Sequence, residues 1–324
     1  MKNLLVILFI SILCFGFLCN PEISSQKNQI IHKYDHIVIV IEENKNFDQI
    51  INNNNAPYIN SLRTEGANLT RMYAEEHASE GNYFWLFSGS NQDVGYDDVI
   101  PSSENNNNYP FKSGNLAEEL IKNGYSFKGY SESLPEIGDT ISYSGYYARK
   151  HVPWISFGNI PNGNKEENSV NLQFKQFPVD YNKLPTVSIV IPNLIHDMHD
   201  PKPPDISVPN GDDWLKNNID NYYQWAKKHN SLLIITFDEN DDKSGYRGLT
   251  DPASSDSDVK NRIPTIIAGA YIVPGDYPEG NGVTHVNILR TIEAMYGLTN
   301  SGFQQKNAEK YGIKDNDIIR DIFK

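Results

Sequence analysis

The sequence has 324 residues and a formal net charge of −13 at neutral pH, from 28 Lys and Arg against 41 Asp and Glu. Such an acidic surface repels nucleic acid and anionic membranes at long range, so the composition argues against a nucleic-acid-binding protein. A chain of roughly 300 residues can bury about three quarters of its unfolded surface, so it needs no disulfide to be stable.

The N-terminal segment has the pattern of a secretory signal. A short positive head precedes an apolar run over 4–18, which is too short to span a bilayer comfortably. We therefore predict a signal peptide over 1–19, export to the periplasm, the medium or the cell surface, and no transmembrane span in the mature chain. Cys19 raises the alternative of a lipoprotein signal with a lipid anchor. Cys14 and Cys19 both lie in this segment, which leaves the mature domain without a cysteine-based zinc site.

Strand and helix patterns alternate through most of the remaining chain. Continuous apolar runs predict buried strands, and capped or amphipathic segments between them predict helices. The predicted strands are 35–42, 68–76, 126–133, 186–193, 231–240 and 262–272, and the predicted helices are 79–87, 113–125, 212–230 and 284–298. This alternation predicts one α/β domain over 33–324, with three layers and a mainly parallel central sheet. The pattern fades over 131–182, where we expect loops or a small excursion over the sheet.

Polar side chains collect at the carboxyl ends of three predicted strands. Glu43 and Asn44 directly follow the first strand, the run 193–200 begins at the end of the fourth, and Asp238 and Glu239 lie near the end of the fifth. The carboxyl ends of parallel strands meet at one edge of a sheet, where open α/β sheets bind their ligands. Acidic residues after one strand can be an ordinary solvated loop, but their repetition at successive strand ends favours a common site.

Carboxylates gathered at this edge would repel one another, by on the order of 4 kcal/mol for two unit charges about 4 Å apart at an effective dielectric near 20. A divalent cation would relieve that repulsion. Glu43, Asn44, Asp238 and Glu239 offer only oxygen ligands, which favours magnesium, calcium or manganese, with zinc as a further option. We therefore predict a divalent metal cofactor at these residues.

Ser79 opens the helix predicted after the second strand, so we expect its hydroxyl near the same edge. A serine hydroxyl needs a base or a metal to act as a nucleophile, and a helix N-terminus would stabilise a phosphoseryl group. Asn82, one turn later, can donate to a phosphate oxygen. Two alternatives stay open: Ser79 is a plain N-cap, or His77 is the base of a serine esterase.

Two histidines are candidates for binding phosphate oxygens or protonating a leaving group. His199 lies in the run HDMHD after a predicted strand, and His285 lies in the first turn of the last predicted helix. No comparable context surrounds His32, His36, His151, His196 or His229.

Six segments resemble, in order, the blocks of a known family. The run VIEENKNFDQII resembles the E-N-x-x-F-D opening of the phosphoesterase family of bacterial and fungal acid phosphatases and bacterial phospholipases C, which belongs to the alkaline phosphatase superfamily. HASEGNYFWLFSGS resembles its nucleophile segment, and IPNLIHDMHD, GDDWL, IITFDEND and THVNILRTIEAMYGL resemble its later blocks. The resemblance covers about residues 35–298 and implies an alkaline phosphatase-like fold.

The resemblance implies a metal held by Glu43, Asn44, Ser79, Asp238 and Glu239. It also implies that Ser79 is the nucleophile of a two-step displacement. In the first step the serine takes the phosphoryl group and the alcohol leaves, and in the second step water releases phosphate.

The resemblance further implies that Asn82 and His199 hold the phosphate and that His285 belongs to the catalytic set. Two departures from the family pattern stand in the nucleophile segment. Ala78 occupies a position where some members have proline, and Glu80 adds a negative charge beside the nucleophile.

These expectations together describe an exported, metal-dependent hydrolase of phosphoric esters. The preferred interpretation is an acid phosphatase that acts on phosphomonoesters, and a phospholipase C that cleaves phosphodiesters is the alternative within the class. The expected partner is a phosphorylated small molecule or a phospholipid. An alternative of another class is a non-catalytic surface protein that holds calcium.

Overall fold

An eight-stranded sheet runs through the part of the chain that the structure, a computed structural model, describes: residues 31–94, 99–241, 261–279, 282–302, 314 and 318–324. The described strands are β1 (His36–Glu42), β2 (Ala67–Leu69), β3 (Met72–Tyr73), β4 (Phe127–Ser131), β5 (Tyr143–Ser144), β6 (Tyr147–Ala148), β7 (Asn171–Gln173), β8 (Val187–Ile191), β9 (Ser231–Phe237), β10 (Thr265–Gly269), β11 (Gly275–Tyr277) and β12 (Val283–Thr284). Two short pairs, β3 with β12 and β5 with β6, lie outside the main sheet.

The main sheet is parallel except at one strand. Its order is β11-β2-β10-β9-β1-β8-β4-β7. Neighbouring strands pair in parallel, but β10 is antiparallel to both β9 and β2. The predicted mainly parallel central sheet is therefore confirmed.

Helices cover the sheet in two groups. The described α-helices are α1 (Phe47–Ile50), α2 (Pro57–Glu65), α3 (Ser79–Ser88), α4 (Leu116–Lys122), α5 (Pro204–Ala226) and α6 (His285–Tyr296). Helices α2 and α5 pack together, and α3, α4 and α6 pack together as a second group. The central strands β1, β8 and β9 are buried almost throughout, as expected for strands with helices on both faces of the sheet. The α/β fold class is confirmed.

Two predicted elements differ clearly from the structure. The strand predicted over 68–76 is two strands, β2 and β3, which join different sheets. Helix α5 begins at Pro204 instead of 212, because proline is well suited to the first helical position. The segment 131–182, expected to be loops or a small excursion, contains short 3-10 helices, the pair β5 and β6, and the edge strand β7.

Residues Ile31–Lys324 form one compact unit. The signal peptide predicted over 1–19, with its alternative lipid anchor at Cys19, lies outside the described residues. Among the residues that the structure describes, no helix is long and apolar enough to cross a membrane.

The strand register decides where the polar clusters lie. Glu42 at the end of β1 pairs with Phe237 at the end of β9, and Ser131 at the end of β4 pairs with Ile191 at the end of β8. The carboxyl ends of these four strands therefore share one edge of the sheet.

Asp212 of α5 fixes the start of α2. Ala56 at the N-cap of α2 makes no side-chain hydrogen bond, and the Asp212 carboxylate instead accepts from the backbone amides of Tyr58 and Ile59, both at 2.8 Å. The orphan amide groups of a helix start are thus satisfied from another element.

Replacing Asp212 with alanine should lower the free energy of unfolding by about 1–3 kcal/mol, because two buried amides would lose their acceptor. Urea unfolding followed by circular dichroism measures this loss. Asp213→Ala is the matched control: that side chain is exposed, so its removal should change stability by less than about 0.5 kcal/mol. Equal effects of the two substitutions would contradict the role of Asp212.

Candidate functional site

The loops that follow β1 and β9 are joined at the carboxyl edge of the sheet. The backbone amide of Asp238 donates to the Glu42 carbonyl at 3.0 Å, and the backbone amide of Asn44 donates to Asp238 Oδ1 at 3.0 Å. Asn44 has a left-handed backbone with φ of 46°, a conformation that asparagine adopts more readily than most residues. The polar clusters after the two strands therefore lie side by side.

Ser79 points into this group of side chains. It is the first residue of α3, and Ala78 occupies the N-cap position. The Ser79 hydroxyl donates to Glu239 Oε1 at 2.9 Å and lies 3.4 Å from Asn44 Oδ1. The plain N-cap interpretation of Ser79 is wrong, because its buried hydroxyl contacts side chains from the sheet edge.

The carboxylates at this edge are buried. Burial and the negative charge of Glu43 raise the pKa of Asp238 well above its ordinary value. Burial also raises the pKa of Glu239, although His77, which contacts Glu239 Oε2, acts to lower it. Because several carboxylates share a space with little water, ionising them all is costly unless positive charge lies between them.

The donor atoms fit a cation. The Asn44 amide oxygen faces the Asp238 carboxylate, and only after a turn of the amide would its NH₂ group lie 3.2 and 3.3 Å from the two carboxylate oxygens. A cation between these oxygens would satisfy all of them without that turn. Glu239 and the Ser79 hydroxyl complete a set of oxygen donors, which suits calcium, magnesium or manganese.

Glu43 also belongs to a second buried cluster. His151 Nε2 lies 2.7 Å from Glu43 Oε1, and the Tyr83 hydroxyl donates to the same oxygen at 3.1 Å. Asp197 Oδ2 lies 3.8 Å from His151 Nδ1. Burial alone would raise the pKa of Glu43, but the charges of His151 and Lys150 hold it well below its ordinary value.

The second cluster can be described as a metal triad or as a support for Glu43. One ligand atom from each of Glu43, His151 and Asp197 lies within 4.8 Å of the others, a spacing that can hold a metal ion. The 2.7 Å contact between His151 and Glu43 places the imidazole directly against the carboxylate, where it supports Glu43. An imidazole nitrogen is a common zinc ligand, so this cluster also suits zinc.

Asn82 holds the loop before α3. Its Oδ1 accepts from the backbone amides of Glu75 and Glu76 at 3.1 Å each, and its Nδ2 donates to the Glu76 carbonyl at 2.7 Å. These bonds fix the segment that carries His77. They occupy the amide group that the sequence assigned to a phosphate oxygen.

His199 lies at the rim of the site. Its backbone amide donates to Asp197 Oδ1 at 2.8 Å, which joins it to the second cluster. Its ring nitrogens lie 3.1 Å from Asp200 Oδ1 and 3.2 Å from Lys202 Nζ. Burial lowers the pKa of His199, against the opposing effect of Glu43.

His285 lies beneath the site. Its Nδ1 is 2.7 Å from Glu75 Oε2, and its Nε2 is 2.8 Å from the carbonyl oxygen of Phe237, the residue before Asp238. Because both ring nitrogens contact buried protein groups, His285 supports the edge of β9 in this structure.

Sequence reasoning does not identify His151. It lies in the 3-10 helix Arg149–His151, inside a segment with no periodicity that could relate it to a strand end. Asp197 carried a stronger signal, because it follows β8 in the same run as His199.

The mainly parallel sheet, with a serine and several buried carboxylates at its carboxyl edge, has the arrangement in which open α/β sheets bind their ligands. The profile described as the Phosphoesterase family matches residues 51–299, a range that begins after Glu43 and Asn44. The chain belongs to the phosphoesterase family, whose members are hydrolases acting on phosphoric esters.

Known relatives and structures agree with this family. The chain is 40% identical over 275 residues to a phosphatidylinositol-3-phosphatase of Mycobacterium tuberculosis, covering 83% of this chain and 79% of the relative. It is 24% identical over 258 residues to an acid phosphatase of Aspergillus fumigatus, covering 74% of this chain and only 51% of that longer protein. A solved protein of the alkaline phosphatase superfamily from Vibrio parahaemolyticus shares the fold, with a TM-score of 0.55, 16% identity, and coverage of 83% of this chain and 68% of that one.

Replacing His151 with alanine should weaken cation binding about 10- to 100-fold, the usual effect of removing a group that orients a metal ligand. Glu43 would lose the imidazole that contacts its carboxylate and keep the hydrogen bond from Tyr83. Calorimetric titration with Mn²⁺ or Ca²⁺ measures the change.

His229→Ala is the matched control for this titration. His229 stacks on Trp225 and precedes the amino end of β9, at the opposite edge of the sheet. Unchanged cation affinity in the His151 variant would contradict its role, and no binding by the unaltered protein would contradict the cation site itself.

Proposed function

We propose that this protein is an exported, metal-dependent phosphomonoesterase of the acid phosphatase type, which works through a phosphoserine on Ser79. The observation that carries the proposal is the buried Ser79 hydroxyl at the start of α3, within hydrogen-bond distance of Glu239. The names of the relatives, a phosphatidylinositol-3-phosphatase and acid phosphatases, support a monoester substrate. The apolar run over 4–18 supports export.

In the first step Ser79 Oγ attacks phosphorus and its proton passes to Glu239, which already accepts its hydrogen bond. The bond from phosphorus to the alcohol oxygen breaks, and His199 at the rim can supply the proton that the alcohol takes. A divalent cation bound by the oxygen donors would offset their charge and lower the pKa of the serine hydroxyl. The phosphoseryl group then lies at the N-terminus of α3, where backbone amides and the helix dipole favour an anion.

In the second step water attacks the phosphoserine and gives a proton to His199, which lost one in the first step. The bond from phosphorus to Ser79 Oγ breaks, and phosphate leaves. Glu239 returns a proton to the serine. In this scheme Asn82 and His285 are positioning residues. Asn82 holds the loop that carries His77, and His285 holds the chain next to Asp238.

Ser79→Ala should lower the hydrolysis of an aryl phosphate at least about a thousandfold, because the group that accepts phosphorus is gone. Folding and cation content should change little. The measurement is a steady-state assay with metal analysis, and mass spectrometry of the acid-quenched unaltered enzyme should find the phosphoryl group on Ser79.

Ser88→Ala is the matched control, since Ser88 is buried at the other end of the same helix and donates to the Phe84 carbonyl. Its activity should be nearly unchanged. Full activity of the Ser79 variant, or a phosphoryl group on another residue, would rule out the mechanism.

Chelation should abolish activity on aryl phosphate, and Glu43→Ala should lose both bound cation and rate. Refilling the chelated enzyme with Mn²⁺ or Ca²⁺ should restore the rate. The control variant Glu65→Ala changes an exposed residue that pairs with Lys227, and it should behave like the unaltered enzyme.

Activity in excess chelator would instead support a serine esterase. Faster release of phosphocholine from phosphatidylcholine than of phosphate from the monoester would favour a phospholipase C.

A further inference from the structure

A hairpin beside the site exposes several apolar side chains. The aromatic hairpin (residues 141–148) contains the paired strands β5 and β6. It exposes Ile141, Tyr143 and Tyr146, which are 43%, 53% and 54% accessible. Single exposed apolar residues are ordinary on a protein surface, but three within six positions form a patch that needs an explanation.

The aromatic hairpin is attached to the site at both of its sides. The Tyr146 carbonyl accepts from the backbone amide of Leu194 at 3.0 Å, in the loop that leads to Asp197 and His199. On the other side, the hairpin continues directly into the 3-10 helix Arg149–His151, which contacts Glu43. The patch therefore lies at the rim of the site.

Positive side chains lie on the same rim. Lys202 is exposed and its Nζ lies 3.2 Å from His199 Nε2. Lys150 stands between the aromatic hairpin and His151, close enough for its charge to act on both Glu43 and His199. The same rim also carries Asp139 and Asp200, so the lysines locally offset the acidic charge that dominates the chain. Lysines beside exposed aromatic side chains are typical of protein surfaces that lie on a phospholipid interface.

We propose that the aromatic hairpin seats the enzyme on a phospholipid surface, so that a phosphomonoester on a lipid headgroup reaches Ser79. Tyrosine suits this role, because its ring enters the interface while its hydroxyl stays in the headgroup region. The inference rests on the proposed function and narrows its substrates to phosphorylated lipids.

The acidic charge of the protein determines which lipid surface it can bind. A net charge of −13 opposes adsorption to a strongly anionic membrane, whereas a mostly zwitterionic membrane repels the protein little. The apolar hairpin then provides most of the attraction, and the exposed Lys202 adds a contact to a nearby headgroup phosphate.

The test is co-sedimentation with phosphatidylcholine vesicles that carry a minor fraction of phosphatidylinositol phosphate. All proteins carry Ser79→Ala, so that the lipid is not consumed. The combined variant Ile141→Ser, Tyr143→Ser, Tyr146→Ser should bind about tenfold more weakly or worse, because it removes most of the apolar area that enters the interface. Tyr146→Trp, which keeps an aromatic ring at the tip, should bind at least as tightly as its parent.

The matched control is the combined variant Ile121→Ser, Val179→Ser. These side chains are 40% and 96% accessible, and they lie before the amino ends of β4 and β8, at the opposite edge of the sheet. Vesicle binding of this control should be unchanged. Equal losses in the control and hairpin variants would overturn the proposal.

Kinetic measurements on proteins with an intact Ser79 separate the proposed lipid contact from the proposed phosphatase activity. The hairpin variant should keep the parent kcat/KM on soluble aryl phosphate and lose about tenfold or more on vesicle-borne lipid. An equal loss on both substrates would overturn the proposal, because the hairpin would then shape the site itself. A dimer that forms without lipid and is lost in the hairpin variant would also overturn it. If the parent enzyme binds vesicles but hydrolyses neither substrate, the proposed function fails while the membrane contact stands.

Discussion

Parallel pairing of β1 with β9 places several buried carboxylates side by side, because the loops that carry them follow neighbouring strands. The pairing of Glu42 with Phe237 leaves Glu43 and the Asp238–Glu239 pair at one edge, where burial, and after it the charge of Glu43, raises the pKa of both Asp238 and Glu239. His77 and His151 each contact one carboxylate, which lowers that cost in part. A cation would lower it further, and the same ion would activate a hydroxyl held among the carboxylates. One bound cation would therefore both stabilise the ionised carboxylates and serve the proposed catalysis.

The segment that leads into α3 contains both residues that pack in the core and the candidate nucleophile Ser79. Gly81 is required because a side chain there would overlap the Glu76 carboxylate, which accepts from the Trp85 indole at 3.1 Å. Glu76 is buried in the core, and this burial raises its pKa to about 7. Asn82 holds the backbone of the same loop. With its neighbours occupied in this way, Ser79 directs its hydroxyl at Glu239, and Tyr83, one turn later, directs its hydroxyl at Glu43.

Apolar runs in the sequence were enough to predict the central strands, and the rule that parallel strand ends share an edge was enough to relate Glu43 to Asp238. Other features could not be predicted, because periodicity reports burial and carries no direction. The run that forms β10 looks like its neighbours although it runs antiparallel to them. His151 lies in a segment held by 3-10 turns and long-range contacts, so only the folded chain brings it to Glu43. The placement of His285 against Glu75 likewise depends on packing between elements far apart in sequence.

The chain builds the site from two kinds of structure. The sheet edge and the start of α3 hold the buried carboxylates and Ser79, whereas the 131–182 segment supplies both His151 and the aromatic hairpin. The hairpin is anchored rather than loose, because Tyr147 is buried and Tyr146 is bonded through its backbone to the loop before Asp197. The 131–182 segment thus carries both the histidine beside Glu43 and the proposed lipid contact, whereas the carboxylates at the sheet edge follow β1 and β9.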